Sequence, residues 1–344
     1  MSISLQSTLR ALAQTTARTL ARSLRHGALL PALALAVLAS PAAWAQKFPA
    51  KPIKIVVPYT PGTGSDVLAR TIAQSISEKT GFSVLVENRE GAGSLIGTQA
   101  VARAPADGYT ILMAANTLAI LPSQSAKPAF DPVKDFQPIV KVATIPFVLA
   151  ANPQVKASNA RELIALAKAN PGKLTYGTSG PGPAQNQMEL LKQVAGVDIL
   201  EVPYKSTAQA MTDLMSGELS LFPSVLSVAL PHIQSGRIKA LTLIDVKRSS
   251  QAADLATVVE ELNIANYTPT PVWYGFVAPA QTPPDVVATL ADLIQNAMNS
   301  AEVRAKLATL GAQVTLADSA RLAADIKNEY QSSAELAKKL GLVK

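Results

Sequence analysis

The chain has 344 residues, a formal charge of +7, two histidines and no cysteine. Disulfides and thiolate chemistry are therefore excluded, and two histidines are too few for a histidine-rich metal centre. A hydrophobic content of 48% permits a large core, and a typical domain size of ~150 residues makes two domains the expectation.

Residues 1–45 read as an export leader rather than as part of the fold. Arg10, Arg18, Arg22 and Arg25 form a positive region without a single acid. Residues 29–39 are an apolar run, and Ala43-Trp44-Ala45 is an A-x-A cleavage site before Gln46. The run is shorter than the ~20 apolar residues of a membrane span. The Arg- and Ser-rich start also fits a mitochondrial transit peptide, a reading that the A-x-A end disfavours. No Arg-Arg pair marks twin-arginine export, and no cysteine follows to carry a lipid. Without these four arginines the excess of basic over acidic residues falls from seven to three. No Lys/Arg cluster remains, so nucleic acid is not an expected partner. The expectation is a soluble, exported protein.

Residues 53–57 form a β-branched strand. The loop that follows runs through Tyr59, Thr60, Pro61, Gly62, Thr63, Gly64 and Ser65 to Asp66, where a helix begins that extends to 79. A Gly- and hydroxyl-rich loop at a helix N-terminus suits an anion, because unpaired N–H groups and the helix dipole both favour negative charge. The loop lacks the lysine of a P-loop and the G-x-G-x-x-G spacing, so a small carboxylate fits better than a phosphate. Next come a strand at 83–87, a helix at 97–103, a buried strand at 109–114 and another at 147–151. Asn159 and Glu162 read as a capping box for a helix that runs to 169, closed by Asn170-Pro171-Gly172. Strands at 174–177, 199–202, 219–222 and 240–244 alternate with helices at 185–194, 208–216 and 230–235. A late strand at 273–278 precedes helices at 284–298, 301–310 and 318–340.

This alternation predicts an α/β protein: parallel sheets with helices on both faces, and a ligand site outside the carboxyl ends of the strands. No flexible linker interrupts it. Two domains joined by extended crossings, at 145–151 and 269–277, would form a hinged cleft.

No catalytic constellation stands out. His26 falls in the leader, and His232, in Leu230-Pro231-His232-Ile233, reads as a structural residue near a helix start. No cluster of metal ligands is visible. Gly177-Thr178-Ser179-Gly180 has no second mature histidine with which to build a triad, which disfavours a hydrolase using Ser179 or Asp66. Hydroxyl- and Gly-rich turns recur after strands instead: 59–66, then Asn116-Thr117, then Thr178-Ser179-Gly180-Pro181-Gly182, then Tyr204-Lys205-Ser206-Thr207. Each alone is an ordinary strand-to-helix turn. Four together can converge on one cleft of neutral donors for a small anion. Asp66 reads as the acid that ties down its loop rather than as a catalyst. Lys205 is either a charge partner for the ligand or a rim lysine.

Taken in order, several motifs resemble one family. They are Val57-Pro58-Tyr59-x-Pro61-Gly62-x-Gly64-x-Asp66, Val86-Glu87-Asn88-Arg89-x-Gly91-Ala92-Gly93, Asp107-Gly108-Tyr109-Thr110 and Asp131-Pro132-Val133-Lys134-Asp135-Phe136. Asn170-Pro171-Gly172-Lys173-Leu174-x-Tyr176, Val202-Pro203-Tyr204-Lys205 and Leu230-Pro231-His232-Ile233 follow. Together they resemble the receptor proteins of tripartite tricarboxylate transporters, the Bug family. The resemblance implies a two-lobed periplasmic binding-protein fold, each lobe a mostly parallel sheet flanked by helices. Residues 46–145 with 270–344 would form one lobe and 146–269 the other. It implies a monomeric, non-enzymatic, cofactor-free receptor that closes on an organic carboxylate and delivers it to membrane permease subunits. A co-receptor that presents the same ligand to a sensor kinase is the alternative. The implied ligand contacts are Tyr59, Thr60, Gly62, Thr63, Gly64, Ser65 and Asp66 with Asn116 and Thr117 on one lobe. On the other they are Thr178, Ser179, Gly180, Gln185, Tyr204 and Lys205. The chain departs from the family pattern at Gln185, where a histidine is common, at 206–209, where a glycine run is usual, and at Pro223, where an acid often stands.

Overall fold

The computed structural model describes residues 48–343 except 179, 181, 205, 265–268 and 270. The expected leader, and the candidate residues Ser179 and Lys205, lie outside the described residues. In chain order the structure begins β1 (Ile53–Val57), α1 (Gly64–Thr80), β2 (Val84–Asn88), α2 (Leu95–Ala102), β3 (Thr110–Ala115) and α3 (Thr117–Ser123). It continues with β4 (Phe136–Ile145), β5 (Phe147–Ala151), α4 (Ala160–Ala169), β6 (Thr175–Thr178), α5 (Pro183–Ala195), β7 (Leu200–Pro203), α6 (Thr207–Ser216), β8 (Leu221–Val225) and α7 (Leu226–Gln234). The last elements are β9 (Lys239–Ile244), α8 (Val258–Leu262), β10 (Val272–Pro279), α9 (Pro284–Met298), α10 (Ala301–Thr309), β11 (Gln313–Ala317) and α11 (Ser319–Lys339).

The strands make two sheets, a six-stranded one in the order β11-β4-β10-β3-β1-β2 and a five-stranded one in the order β7-β6-β8-β5-β9. Helices flank both, as the alternation predicts. Both sheets are mixed rather than mostly parallel. β1 pairs parallel with β2 and β3, and β6 with β7 and β8. β10 is antiparallel to β3 and β4, and β5 to β8 and β9. The cause is the crossing. β4 passes into β5 across Pro146 alone, so one extended stretch of chain serves both sheets, and β10 returns against it.

Two strands and one helix start differ from the sequence expectation. β4 is ten residues long although it contains Pro138, which sits beside a register irregularity opposite Val277. A proline without an N–H is tolerated at such a break in the ladder. β11 is an edge strand on which the exposed residues are the apolar Val314 and Leu316, while Thr315 turns in to meet Thr144 at 2.9 Å. The helix expected at 230–235 begins at Leu226, with Pro231 in its interior, so His232 lies in its last turn.

α11 packs on α3 and β4, and α9 on α1 and β4. The seam is fixed by a buried polar network. Asn116, which caps the start of α3, donates from Nδ2 to Glu329 Oε1 (2.7 Å) and to the Pro271 carbonyl (3.2 Å), and its Oδ1 accepts the Trp273 N–H at 3.0 Å. The other oxygen of Glu329 accepts the Trp273 indole N–H at 2.8 Å. Asn116 and Trp273 are fully buried and Glu329 nearly so. Burial pushes the Glu329 carboxyl up from 4.5 to about 7, although the Asn116 and Trp273 donors and the Lys141 charge pull it down.

The sign of the consequence follows from linkage. The folded state holds the Glu329 proton more tightly than the unfolded chain, so this contribution to stability is full below about 4.5 and is lost as pH rises through about 7. The expected loss between pH 4.5 and 7.5 is on the order of 3 kcal/mol. Urea unfolding across that range should show it. Glu329→Gln should flatten the pH dependence: it should cost about 1–3 kcal/mol near pH 4.5, because the amide offers one oxygen to two separately placed donors, and the deficit should close by pH 7.5.

Candidate functional site

A cavity of about 310 Å³ opens where the two sheets face one another. Thr117, just after β3, lines it from the first sheet. Gly180, Gly182 and the start of α5 follow β6, and Thr207 follows β7. Phe222, Pro223, Ser224 and Val225 belong to β8, and Phe147 pairs with Val225 at the same end. The cavity therefore lies at the carboxyl ends of β3, β6, β7 and β8, the position the α/β pattern predicts. Its volume is at the small end of the ~300–1,000 Å³ usual for small-molecule sites.

Helix ends distinguish this region from the rest of the molecule. Side chains cap α1 (Thr63), α4 (Asn159), α6 (Ser206), α8 (Thr257), α10 (Ser300) and α11 (Asp318). Four helices, α3, α5, α6 and α7, begin at the cavity; Ser206 caps α6, and the other three have no side-chain cap. Their N-caps are Asn116, whose amide is turned into the interior, and Gly182 and Val225, which have no acceptor. The first N–H groups of a helix need acceptors. Pro283 also leaves the start of α9 uncapped, and Ser94 that of α2.

Thr117 is the polar side chain that the first sheet brings to the cavity. Its Oγ1 lies 2.6 Å from the Tyr59 hydroxyl and accepts from Ser94 Oγ at 3.1 Å. Burial pushes the Tyr59 phenol up to about 12, so it remains a protonated donor. Ser94 is placed by an unusual turn. Four successive residues, Gly91, Ala92, Gly93 and Ser94, have φ of 134°, 48°, 69° and 104°. Glycine adopts such angles freely, but Ala92 and Ser94 do not, at a cost of about 1–3 kcal/mol each.

The loop at 59–66 binds an anion, and that anion is its own Asp66. Oδ2 accepts the Gly62 N–H at 2.9 Å and Oδ1 accepts Asn88 Nδ2 at 2.9 Å, while Arg70 Nε reaches both oxygens at 3.0 and 3.1 Å. The Thr63 hydroxyl donates to the Thr60 carbonyl and accepts the Asp66 N–H. Gly64 packs under the Tyr274 hydroxyl, which also bonds the Ser65 side chain. Thr60, Gly62, Thr63 and Asp66 are thus tied to one another, Gly64 and Ser65 meet Tyr274, and the loop reaches the cavity through Tyr59 and Thr117.

The second-sheet candidates also have partners. Thr178 is fully buried, and its hydroxyl donates to Glu201 Oε1 at 2.5 Å. Gln185 Nε2 donates to both oxygens of Glu201 at 3.0 Å. The Gly180 N–H approaches Thr178 Oγ1 at 3.4 Å. Tyr204 packs against Gly177 and hydrogen-bonds Asp213; burial first, and that acid second, push its phenol up to about 12. Sequence reasoning gave Glu201 no role. It reads as an ordinary strand residue, and its link to Thr178 and Gln185 exists only once β6 and β7 pair.

Burial opposes ionisation of Asp66, but its hydrogen bonds from Arg70, Gly62 and Asn88 outweigh this and hold the carboxyl below its ordinary range. Asp66→Ala should cost about 2–3 kcal/mol in urea unfolding. In the parent the Asp66 contribution should be present above the ordinary carboxylate range and vanish as pH falls through the depressed value.

Comparison with known proteins places this geometry. Residues 68–342 match the family described as the tripartite tricarboxylate transporter family receptor. Protein BugT of Bordetella pertussis is 32% identical over 312 residues, covering 90% of this chain and 95% of the relative. The structure of the periplasmic binding protein BugD is 33% identical with a TM-score of 0.69, covering 86% of this chain and all of that one. An R. palustris protein solved with adipate is 30% identical with a TM-score of 0.71, covering 86% of this chain and 98% of that one. The chain belongs to the tripartite tricarboxylate transporter receptor family, on a periplasmic-binding-protein fold.

Proposed function

We propose that this protein is an exported, periplasmic receptor that captures a small organic carboxylate in the cavity and delivers it to the permease of a tripartite tricarboxylate transporter. The observation that carries the reading is the convergence of one hydroxyl and uncapped helix starts on a single cavity between the sheets. Thr117 accepts from Ser94 and shares a hydrogen bond with the protonated Tyr59 in which either hydroxyl can donate; with Tyr59 as donor, both acceptor positions of Thr117 are filled. A hydroxyl with both acceptor positions filled has its own proton left to give. That proton is then available to a ligand oxygen, and the N–H groups at the start of α5 would hold the carboxylate from the other side. Such a site stabilises charge without performing chemistry. The adipate-bound relative supports the ligand class.

The lobes are 46–145 with 270–344, and 146–269, a division supported by sheet membership. Closure would turn on the β4–Pro146–β5 crossing. Contacts between the two halves already exist around it: Ser227 Oγ donates to the Leu310 carbonyl at 3.0 Å, Gln313 Nε2 to Ser249 Oγ at 2.9 Å, and Asn186 Nδ2 to Ser333 Oγ at 3.0 Å.

Mass spectrometry of native protein after gentle purification should find a retained carboxylate, and titration calorimetry against a carboxylate panel should give a micromolar or tighter dissociation constant, about −8 kcal/mol. No binding to any carboxylate by folded protein would sink the reading. Thr117→Val should weaken binding by about 1–3 kcal/mol while unfolding remains cooperative. Wild-type affinity in that variant would remove Thr117 from the site.

A further inference from the structure

We propose that the ligand carries one carboxylate on an apolar, ring-sized body, and that the cavity selects such monocarboxylates over dicarboxylates, tricarboxylates and amino acids. This rests on the carboxylate-receptor reading and deepens it.

The lining carries the argument. Phe147, Phe222, Pro223, Val225, Val228 and Ala184 present carbon to the cavity. The side-chain polar groups are the hydroxyls of Thr117, Thr207 and Ser224, and Ser224 Oγ is directed to the Val225 carbonyl at 3.3 Å. No charged side chain lines the cavity among the described residues. One carboxylate can be held there by Thr117 and helix N–H groups. A second would have to shed its water against aliphatic and aromatic walls, with no cation among the described lining residues to meet it, a penalty that an apolar body does not incur. An α-ammonium group would need an acid at the wall, and Pro223 and Ser224 stand there instead.

Glu201 sharpens the selection. Its carboxylate lies behind the wall, reached from the Gly180 backbone through Thr178, and its acceptors are occupied by Thr178 and Gln185. It does not offer itself to a ligand cation. Two phenylalanines and a proline around about 310 Å³ suit a six-membered ring better than a flexible chain.

The test is titration calorimetry of the purified full-length protein with benzoate and cyclohexanecarboxylate, set against adipate, malate, citrate and glutamate. The ring monocarboxylates should bind about tenfold or more tighter than every comparator, with a negative heat-capacity change. Val228 is 54% exposed at the cavity rim, so Val228→Asp should keep the melting temperature. It should lower benzoate affinity about tenfold by placing like charge and water beside the ring. A comparator that binds as tightly as benzoate, or benzoate affinity unchanged in Val228→Asp, would overturn the inference. Tight dicarboxylate binding that disappears in Lys205→Ala would also overturn it, while leaving the receptor reading in place. Failure of every carboxylate to bind would remove both.

Discussion

The structure depends on the contact between Asn116 and Glu329. One amide holds three separate segments: the end of β3, the start of β10 and the C-terminal helix α11. A buried carboxylate that accepts two N–H donors is acceptable in a core only when both donors are in place. Any other docking of α11 would leave the acid, the indole N–H or the amide unpaired, at about 1–3 kcal/mol for each group. The network therefore specifies one arrangement, and it does so next to the cavity. Asn116 precedes Thr117, so the pairing that locks α11 also sets the residue that lines the cavity from the first sheet. One turn beyond Glu329, Ser333 takes a hydrogen bond from Asn186 of α5, which starts at the cavity. The C-terminal helix thus bonds residues next to the cavity in both halves of the chain.

Two anion-type sites exist in this chain, and they are used differently. The loop at 59–66 has the composition of a ligand loop, but Asp66 fills it from within. A loop occupied by its own carboxylate is rigid, and rigidity is what Tyr59 needs to hold Thr117 at 2.6 Å. The starts of α5 and α7 have no side-chain cap, and the first N–H of α7 is taken by the Pro146 carbonyl at 3.0 Å. Of the helices that start at the cavity, α6 is closed by Ser206, and α5 begins at Gly182 with no side-chain cap. The non-glycine positive φ at Ala92 and Ser94 falls in the turn that supplies Thr117 with its second hydroxyl partner.

The alternation of strands and helices was legible because most elements bury one face, and periodicity reports that. β1, β5 and the helix at 284–298 match their predicted ranges. β4 was hidden by Pro138, and β11 by an inverted pattern that turns Val314 and Leu316 outward at a sheet edge. The Asn159 cap was readable, but Glu162 bonds the Ser158 N–H and leaves the box half made, whereas Thr257 and Glu260 form the full box at an unmarked position. Of the candidate site, Thr117 and Gly180 were legible because turns after strands must lie at the carboxyl edge of a sheet. The partners of Asn116, Thr178 and Gln185 were not. Glu329 is more than two hundred residues from Asn116, and Glu201 meets Thr178 and Gln185 only through strand pairing. Local composition contains neither distance.

The apolar lining and the open helix starts have to be considered together. A cavity with a lysine or arginine would gain affinity from any anion and discriminate among them poorly. Backbone N–H groups and one hydroxyl give a carboxylate a fixed place and a limited amount of compensating charge, enough for one such group at one end. Everything else on the ligand must then be stabilised by what surrounds it, which is Phe147, Phe222, Pro223 and the valines. With the anion site held to a single carboxylate, selectivity passes to the uncharged remainder of the ligand, where burial is worth about 25 cal/mol per Å². On the proposed reading, specificity is set by the second sheet, while the network around Asn116 and the self-filled loop at 59–66 keep Thr117 fixed on the first.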